Sequence, residues 1–244
     1  MASTESALLS TRADEARQDG GWRRIGDSDA YQAVIRLAVI LWALLLARSY
    51  WHGIEEALTN ARGAVGVLGA AQFFAKTCLL AYFLLVAGIA LTRPRPISRA
   101  EGLGPRIIAL LGTNLVYGVG FLPARQDLGA AWLLLSAALL FIGNAFTIAV
   151  LLRLGRSFSI MPEARKLVTW GPYAVIRHPL YLAEQTAMLG VFIQFASLPA
   201  AALFAAQFLC QFRRMLNEEA VLERAFPDYA AYKARTARLV PGIW

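Results

Sequence analysis

The sequence predicts an all-α integral membrane protein. Among its 244 residues, 58% are hydrophobic and 16% are charged, and the mean hydropathy is +0.51. Soluble domains average roughly 45–50% apolar and about 25% charged residues, so this composition is biased toward lipid. Apolar runs long enough to cross a bilayer as a helix, which takes roughly 20 residues, recur along the chain.

Four apolar segments predict four transmembrane helices within 31–152, and their ranges are 31–51, 66–91, 105–123 and 128–152. The segment before them, 1–30, is rich in charged residues. We interpret it as a polar cytosolic tail, since no apolar core of a signal peptide precedes residue 33.

The remaining region, 153–244, is expected to contain a helical hairpin. Its apolar block, 182–212, is interrupted at Ser197-Leu-Pro199, and proline is expected to stop a helix. The block therefore predicts two short helices that either re-enter or span the membrane, followed by a C-terminal helix.

Basic residues predict the orientation in the membrane. Arginine and lysine are frequent in 92–106 and 153–177, whereas 52–65 and 123–127 hold few. Because basic residues concentrate on the cytoplasmic side, we expect both termini to be cytoplasmic, in a bacterial inner membrane or an equivalent one. The same rule and attraction to anionic membrane lipids account for the net charge of +8. No nucleic-acid partner is predicted, and the sequence favours no particular oligomeric state.

Several classes of site are not expected. Cys78 and Cys210 lie inside apolar segments and are interpreted as buried hydrophobic residues rather than a disulfide or metal site. The chain has 2 histidines, His52 and His178, so no metal-ligand cluster is predicted. No glycine-rich loop follows a strand, which excludes a soluble dinucleotide-binding domain.

Isolated polar residues within the predicted spans are interpreted mainly as structural. Asn114 and Asn144 are expected to form hydrogen bonds between helices. Lys76 is expected to do the same, although charge inside a membrane is often functional, and that alternative stays open.

Two polar segments predict the functional site. The first is Gly171-Pro-Tyr-Ala-Val-Ile-Arg-His-Pro-Leu-Tyr181, and the second is Arg213-Arg-Met-Leu-Asn-Glu-Glu219. His178 precedes a proline, which keeps it in extended backbone ahead of the next helix, with Tyr181 in that helix's first turn. Imidazole and phenol groups could together cradle a polar, aromatic ligand. Anchoring of the tyrosines among lipid headgroups is an equally weighted alternative.

The second segment places opposite charges on one helix face. Arg214 and Glu218 have i,i+4 spacing. They form either a surface ion pair, contributing about 0.3–0.5 kcal/mol, or a fixed cation and anion that serve two different groups of a ligand. Tyr229 and Tyr232 belong to an apolar stripe beyond them that is predicted to pack.

Five motifs in 154–244 carry a family resemblance, and they are Leu167-Val-Thr-x-Gly-Pro-Tyr173, Arg177-His-Pro-x-Tyr181, Glu218-Glu-x-x-Leu222, Phe226-x-x-Tyr229-x-x-Tyr232 and Pro241. This region resembles the catalytic region of the isoprenylcysteine carboxyl methyltransferase family, including its bacterial relatives and the phospholipid methyltransferases. Pro227 and Ala183 depart from it, since each stands where glycine is usual. The resemblance implies an all-helical, multi-spanning enzyme with a cytoplasmic cofactor-binding region of loops and short helices.

The resemblance also implies the roles of individual residues. The methyl donor would be S-adenosylmethionine, released as S-adenosylhomocysteine, and its expected contacts are Arg165, Lys166, Leu167, Val168, Tyr173, His178, Pro179, Leu180, Tyr181 and Glu218. The catalytic residues would be Arg214 and Glu218. Glu218 would hold the polar end of the cofactor, and Arg214 would bind the acceptor and neutralise an anionic nucleophile.

The implied acceptor is a lipophilic small molecule or a lipid-modified substrate from the bilayer. Carboxyl methylation of a prenylcysteine-type substrate is the leading interpretation. N-methylation of a phospholipid amine and S-methylation of a small thiol are alternatives, although the Arg214 cation disfavours a cationic amine unless another group deprotonates it. A transporter or non-enzymatic subunit is the distant alternative. It predicts polar residues spread across several spans, whereas in this chain they are concentrated in the C-terminal region.

Overall fold

The computed structural model describes residues 29–60 and 67–242 and shows that these residues are mainly helical. In chain order the α-helices are α1 (Asp29–Asn60), α2 (Val67–Thr92), α3 (Gly104–Asn114), α4 (Ala130–Leu154), α5 (Pro179–Phe195), α6 (Leu198–Ala225) and α7 (Tyr229–Arg235). Two short strands, β1 (Ser98–Arg99) and β2 (Glu163–Ala164), pair antiparallel with Ser98 opposite Ala164. The all-α class is thus confirmed for the described residues. The predicted tail, 1–30, lies outside them except for its last two positions.

Within the described ranges, three segments are long and apolar enough to cross a membrane, and they are Asp29–Glu56, Phe73–Thr92 and Ala130–Ser157. They correspond to the first, second and fourth predicted spans. The predicted third span, 105–123, divides instead into the 11-residue α3 and a 3-10 segment, Leu115–Phe121. Gly118 and Gly120 lie in that segment, and glycine weakens an α-helix by about 1 kcal/mol relative to alanine. The predicted count of four spans is not confirmed.

Helices α4 and α5 pack closely because two glycines remove side-chain bulk at their contact. A Cβ atom on Gly143 would lie 2.4 Å from the Ala187 nitrogen, and one on Gly190 would lie 2.7 Å from the Ser136 carbonyl oxygen. The Ser136 hydroxyl also donates a hydrogen bond of 2.8 Å to the Gly190 carbonyl. This contact fixes α5, which carries predicted site residues, against the apolar helix α4.

The predicted hairpin is formed by α5 and α6. Ser197 lies between them and caps α6, since its Oγ accepts a hydrogen bond of 3.3 Å from the Ala200 nitrogen. Pro199 lies in the first turn of α6, where a missing N–H leaves no helical hydrogen bond unmade. The break is confirmed, although the proline begins the second helix rather than ending the first. Helix α6 then continues without interruption for 28 residues.

A hydrophobic core joins the apolar helices to the C-terminal region. Phe83 of α2 and Leu151 of α4 are almost fully buried. The same cluster includes Val168, Tyr173 and Leu180. Because predicted site residues belong to this core, the long helices position the site directly.

The polar residues expected to be structural differ in outcome. Lys76 donates from Nζ to a backbone carbonyl of α1 at 3.1 Å, which joins α2 to α1 as expected. Asn114 instead donates to Leu110 of its own helix, so the predicted bond between helices is wrong there. Cys78 and Cys210 are free thiols and are partly exposed, so the prediction that they are buried is wrong.

Candidate active site

The loop between α4 and α5 carries most of the predicted site residues. Gly155 follows α4 with φ +49°, and Gly171 begins a short 3-10 turn with φ +64°. Positive φ strongly favours glycine. His178 precedes Pro179, which is the first residue of α5. The predicted position of His178 outside the helix, with Tyr181 in the first turn, is confirmed, but the predicted extended backbone at His178 is wrong, since its ψ is 56°.

The two polar segments meet, as the sequence hypothesis requires. The His178 Nε2 atom lies 3.1 Å from Glu219 Oε1. The Tyr181 hydroxyl donates a short hydrogen bond to Glu218 Oε1. The guanidinium carbon of Arg214 lies 5.2 Å from the Tyr181 ring centroid. The start of α5 and the middle of α6 therefore share one site.

A cavity of about 100 Å³ opens between the loop and α6. The predicted site residues that line it are Arg165, Lys166, Leu167, Val168, Tyr173, His178, Leu180, Tyr181, Arg214 and Glu218. Pro179 does not line this cavity; it is fully buried and begins α5. We call this cavity the loop cavity.

Arg214 is fixed inside the protein, with 4% of its surface exposed. Its Nη2 donates to the Ile160 carbonyl at 2.8 Å and its Nη1 to Thr113 Oγ1 at 3.1 Å. Its Nε lies 3.6 Å from Glu218 Oε1, and the Glu218 side chain is 24% exposed. The pair is a buried cation beside a partly accessible carboxylate, so the interpretation as a surface ion pair is wrong.

Glu219 is a central residue that the sequence analysis did not select. Its carboxylate accepts hydrogen bonds from Arg177 Nε at 2.9 Å and Arg238 Nη2 at 2.9 Å, beside the contact with His178. Burial raises the pKa of Glu219, but hydrogen bonds from His178, Arg238 and Arg177 outweigh it and hold that pKa well below the ordinary value. The adjacent glutamates thus have different environments, since Glu219 is enclosed by cations and Glu218 faces the loop cavity.

The cluster around Glu219 ties the end of the chain to the site. Ile176 and Ala237 form a parallel bridge. The His178 backbone nitrogen donates to the Arg238 carbonyl at 3.1 Å. The C-terminal segment therefore helps to hold His178 in place. The sequence signal was the pair of adjacent glutamates, but only the fold shows which one meets the arginines.

Buried donors without partners lie on residues that line the loop cavity. Among the described residues, Arg165 Nη1, Arg214 Nε and the Tyr229 hydroxyl have no hydrogen-bond partner. More than about 90% of buried polar groups in proteins are paired. These atoms could accept a polar partner on the side of the cavity.

The aromatic stripe beyond α6 packs as predicted. Tyr229 and Tyr232 are 1% and 3% exposed. The Tyr232 hydroxyl donates to the Tyr173 carbonyl at 2.7 Å, and burial raises the pKa of Tyr232 to about 12. Both rings also line the loop cavity, so they support the 3-10 turn and contribute to its wall.

The described part of the chain offers no metal centre. No group of three or more histidine, cysteine, aspartate or glutamate side chains there could hold a metal ion. The polar groups of the site are instead a carboxylate, an imidazole, phenols and guanidinium groups. Such a set suits an organic ligand with both charged and aromatic parts.

In the described part of the chain, three helices are long and apolar enough to cross a membrane, and a polar cavity lies between the loop after α4 and α6. This combination is typical of a helical membrane protein. Residues 131–229 match the model of the phospholipid methyltransferase family. Over these residues the chain resembles the membrane methyltransferases related to isoprenylcysteine carboxyl methyltransferase. The resemblance seen in the motifs is confirmed.

Two curated proteins are similar over shorter stretches. The nickel-cobalt-cadmium resistance protein NccN of Alcaligenes xylosoxydans xylosoxydans is 34% identical over 112 residues, which cover 45% of this chain and 53% of that protein. The cobalt-zinc-cadmium resistance protein CzcN of Cupriavidus metallidurans is 37% identical over 78 residues, which cover 32% of this chain and 36% of that protein. The chain thus spans about half of the first relative and about a third of the second.

Proposed function

We propose that this protein transfers a methyl group from S-adenosylmethionine to a lipophilic acceptor that enters from the bilayer. The observation that carries the proposal is the loop cavity, which Tyr181, Glu218 and Arg214 line together. All three residues lie within the segment that matches the methyltransferase family. Family members generally use this cofactor. The transporter alternative lacks comparable support, because the site motifs and the family match coincide.

The residues of the loop cavity fit the proposed cofactor. Glu218 presents a partly exposed carboxylate that suits the cofactor's amino group, while Leu167 and Leu180 offer apolar surface for its adenosine part. The unpartnered donors of Arg165 and Tyr229 suit its polar oxygens and nitrogens. When bound, the cofactor would supply a methyl group activated by a positively charged sulfur.

Arg214 is proposed to orient the acceptor. Its contacts with Ile160 and Thr113 hold the guanidinium still, and a preorganised charge stabilises a developing charge without rearranging. Methyl transfer is an in-line displacement that depends mainly on alignment and exclusion of water. A buried, fixed cation next to the donor site can align an acceptor whose nucleophilic atom is anionic, or becomes anionic, and can do so away from water.

Cofactor binding tests the proposal. The full chain is purified in detergent. S-adenosylmethionine and S-adenosylhomocysteine are each titrated into it, and the dissociation constant is measured by isothermal titration calorimetry. We expect both to bind, and we expect Glu218→Gln to weaken binding about 10- to 100-fold, as for a lost charge-assisted hydrogen bond.

Glu223→Gln is the matched control, because Glu223 is an exposed carboxylate on the same helix. It should bind the cofactor like the unmodified chain. Failure of the folded, unmodified protein to bind either compound would contradict the proposed function.

A further inference from the structure

A second cavity, of about 320 Å³, lies among the helices. We call it the helix cavity. Its wall is largely apolar and aromatic, and Trp42, Leu140 and Met188 represent contributions from α1, α4 and α5. It is larger than the loop cavity and has the apolar character expected of a site for a lipophilic group.

The helix cavity has one charged side chain in its described wall, Glu184 of α5. Gln211 of α6 donates to Glu184 Oε2 at 2.7 Å. No lysine, arginine or histidine belongs to this described wall. An ionisable group that lines an apolar cavity is costly unless it binds something, which makes Glu184 a functional candidate.

Arg214 links the wall of the loop cavity to the wall of the helix cavity through hydrogen bonds. The Arg214 Nη1 donates to Thr113 Oγ1 at 3.1 Å and to Gln211 Oε1 at 3.4 Å. Thr113 and Gln211 line the helix cavity, and Arg214 lines the loop cavity. Gln211 therefore connects Glu184 to Arg214 through hydrogen bonds.

Two further polar groups point to a ligand in the helix cavity. Asn144 and Thr147 of α4 are 7% and 3% exposed, and both line this cavity. Among the described residues, Asn144 Nδ2 and Thr147 Oγ1 have no hydrogen-bond partner. Such buried donors are normally paired. A lipophilic ligand with an oxygen atom near its reactive end would satisfy both.

We infer that the helix cavity binds an acceptor whose nucleophilic atom carries a proton, an amine or a thiol, and that Glu184 accepts this proton. The inference rests on the proposed methyl transfer and names the acceptor class. A carboxylate acceptor is already anionic, so it needs no base, and Glu184 would repel it. The positive charge of the neighbouring Arg214 destabilises a protonated amine and stabilises a thiolate. It therefore assists loss of the proton from either acceptor.

The proton and electron balance is the same for both acceptors. The ammonium or thiol first gives one proton to the Glu184 carboxylate, which leaves a lone pair on nitrogen or sulfur. That lone pair forms a bond to the methyl carbon while the bond from this carbon to the donor sulfur breaks, and the broken bond's electrons remain on the donor sulfur. Glu184 later returns its proton to water.

Three acceptors of equal chain length test the inference: dodecylamine, dodecanethiol and dodecanoate. Each is incubated with the full chain and methyl-labelled S-adenosylmethionine, and labelled product is measured. We expect methylation of the amine or the thiol and little of the carboxylate. Glu184→Gln should lower turnover roughly 10²- to 10⁴-fold, the range for loss of a general base, without changing the cofactor's dissociation constant.

Glu223→Gln controls for the loss of one carboxylate, and partial recovery with Glu184→Asp would show that the acid group itself is needed. Absence of cofactor binding would overturn the proposed function. If the cofactor binds, three outcomes overturn this inference but leave the proposed function standing. They are preferred methylation of dodecanoate, methylation of none of the three acceptors, and a Glu184→Gln variant that methylates the amine and the thiol as fast as the unmodified chain.

Discussion

The loop cavity and the helix cavity are built in different ways. The loop cavity is lined by two stretches of sequence, 154–181 and 214–232, in which charged and aromatic residues are frequent. The helix cavity gathers single polar residues, such as Asn144 and Glu184, from helices far apart in sequence. Local motifs therefore reveal the proposed cofactor site, whereas the proposed acceptor site emerges only when the helices pack.

Removal of the Glu219 charge should have the largest effect on stability and should act on the loop cavity. Glu219→Gln leaves Arg177 and Arg238 facing a neutral amide. Breaking a buried ion pair costs about 3–5 kcal/mol, so the melting temperature in detergent should fall strongly. A melting temperature like that of Glu223→Gln, an exposed control, would contradict the structural role of Glu219.

Arg214→Ala should affect both cavities, because Arg214 lines the loop cavity and donates to Thr113 and Gln211 in the wall of the helix cavity. We expect turnover to fall roughly 10²- to 10³-fold, as for loss of a preorganised donor, with the cofactor's dissociation constant nearly unchanged. Arg213→Ala is the matched control, since Arg213 is the exposed neighbour on the same helix. Equal loss of cofactor binding in Arg214→Ala and Glu218→Gln would refute the separate roles assigned to these residues.

Gly143→Ala should affect mainly the helix cavity. The new Cβ would lie 2.4 Å from the Ala187 nitrogen and push α4 away from α5, at a cost of about 1–3 kcal/mol for overpacking. We expect a lower melting temperature and a raised KM for the acceptor, with cofactor affinity changed less. Gly88→Ala is the control, because a Cβ there meets nothing within 4 Å.

Acid should destabilise the protein by protonating Glu219 beside the loop cavity. The pKa of Glu219 lies below its ordinary value of 4.5, so its contribution to stability is complete above that value and declines as pH falls below it. The melting temperature of the unmodified chain should therefore decline below about pH 4.5. The Glu219→Gln variant should show a shallower decline, and parallel curves would show that Glu219 is not the responsible group.

The elements predicted from sequence are those with a strong local signal. Long apolar runs gave α1, α2 and α4, and the interruption at Ser197-Leu-Pro199 gave the hairpin. The prediction of a span over 105–123 was wrong. Its run of apolar residues includes Gly118 and Gly120, and the chain forms a 3-10 segment there. Hydropathy reports preference for lipid, but it does not report which helical geometry the backbone adopts.

The site residues likewise differ in whether a local sequence signal marks them. Tyr181, Glu218 and Arg214 were predicted because they lie in recognisable motifs. Glu219 was missed because its importance comes from Arg238, which tertiary structure brings to it. Asn144 was expected to bond to another helix, yet its Nδ2 finds no partner in the described structure, since packing left a cavity beside it.

Helix α6 runs unbroken from Leu198 to Ala225, and it carries Gln207, Gln211, Arg214 and Glu218 at steps of four, three and four residues. Its angular phase therefore sets the register between donor and acceptor. One residue inserted between Gln211 and Arg214 would rotate the following half by about 100°, turning Glu218 away from Tyr181 while Gln211 stayed beside Glu184. The chamber of the methyl recipient would then keep its polar groups, while the chamber of the methyl donor would lose the carboxylate proposed to hold it.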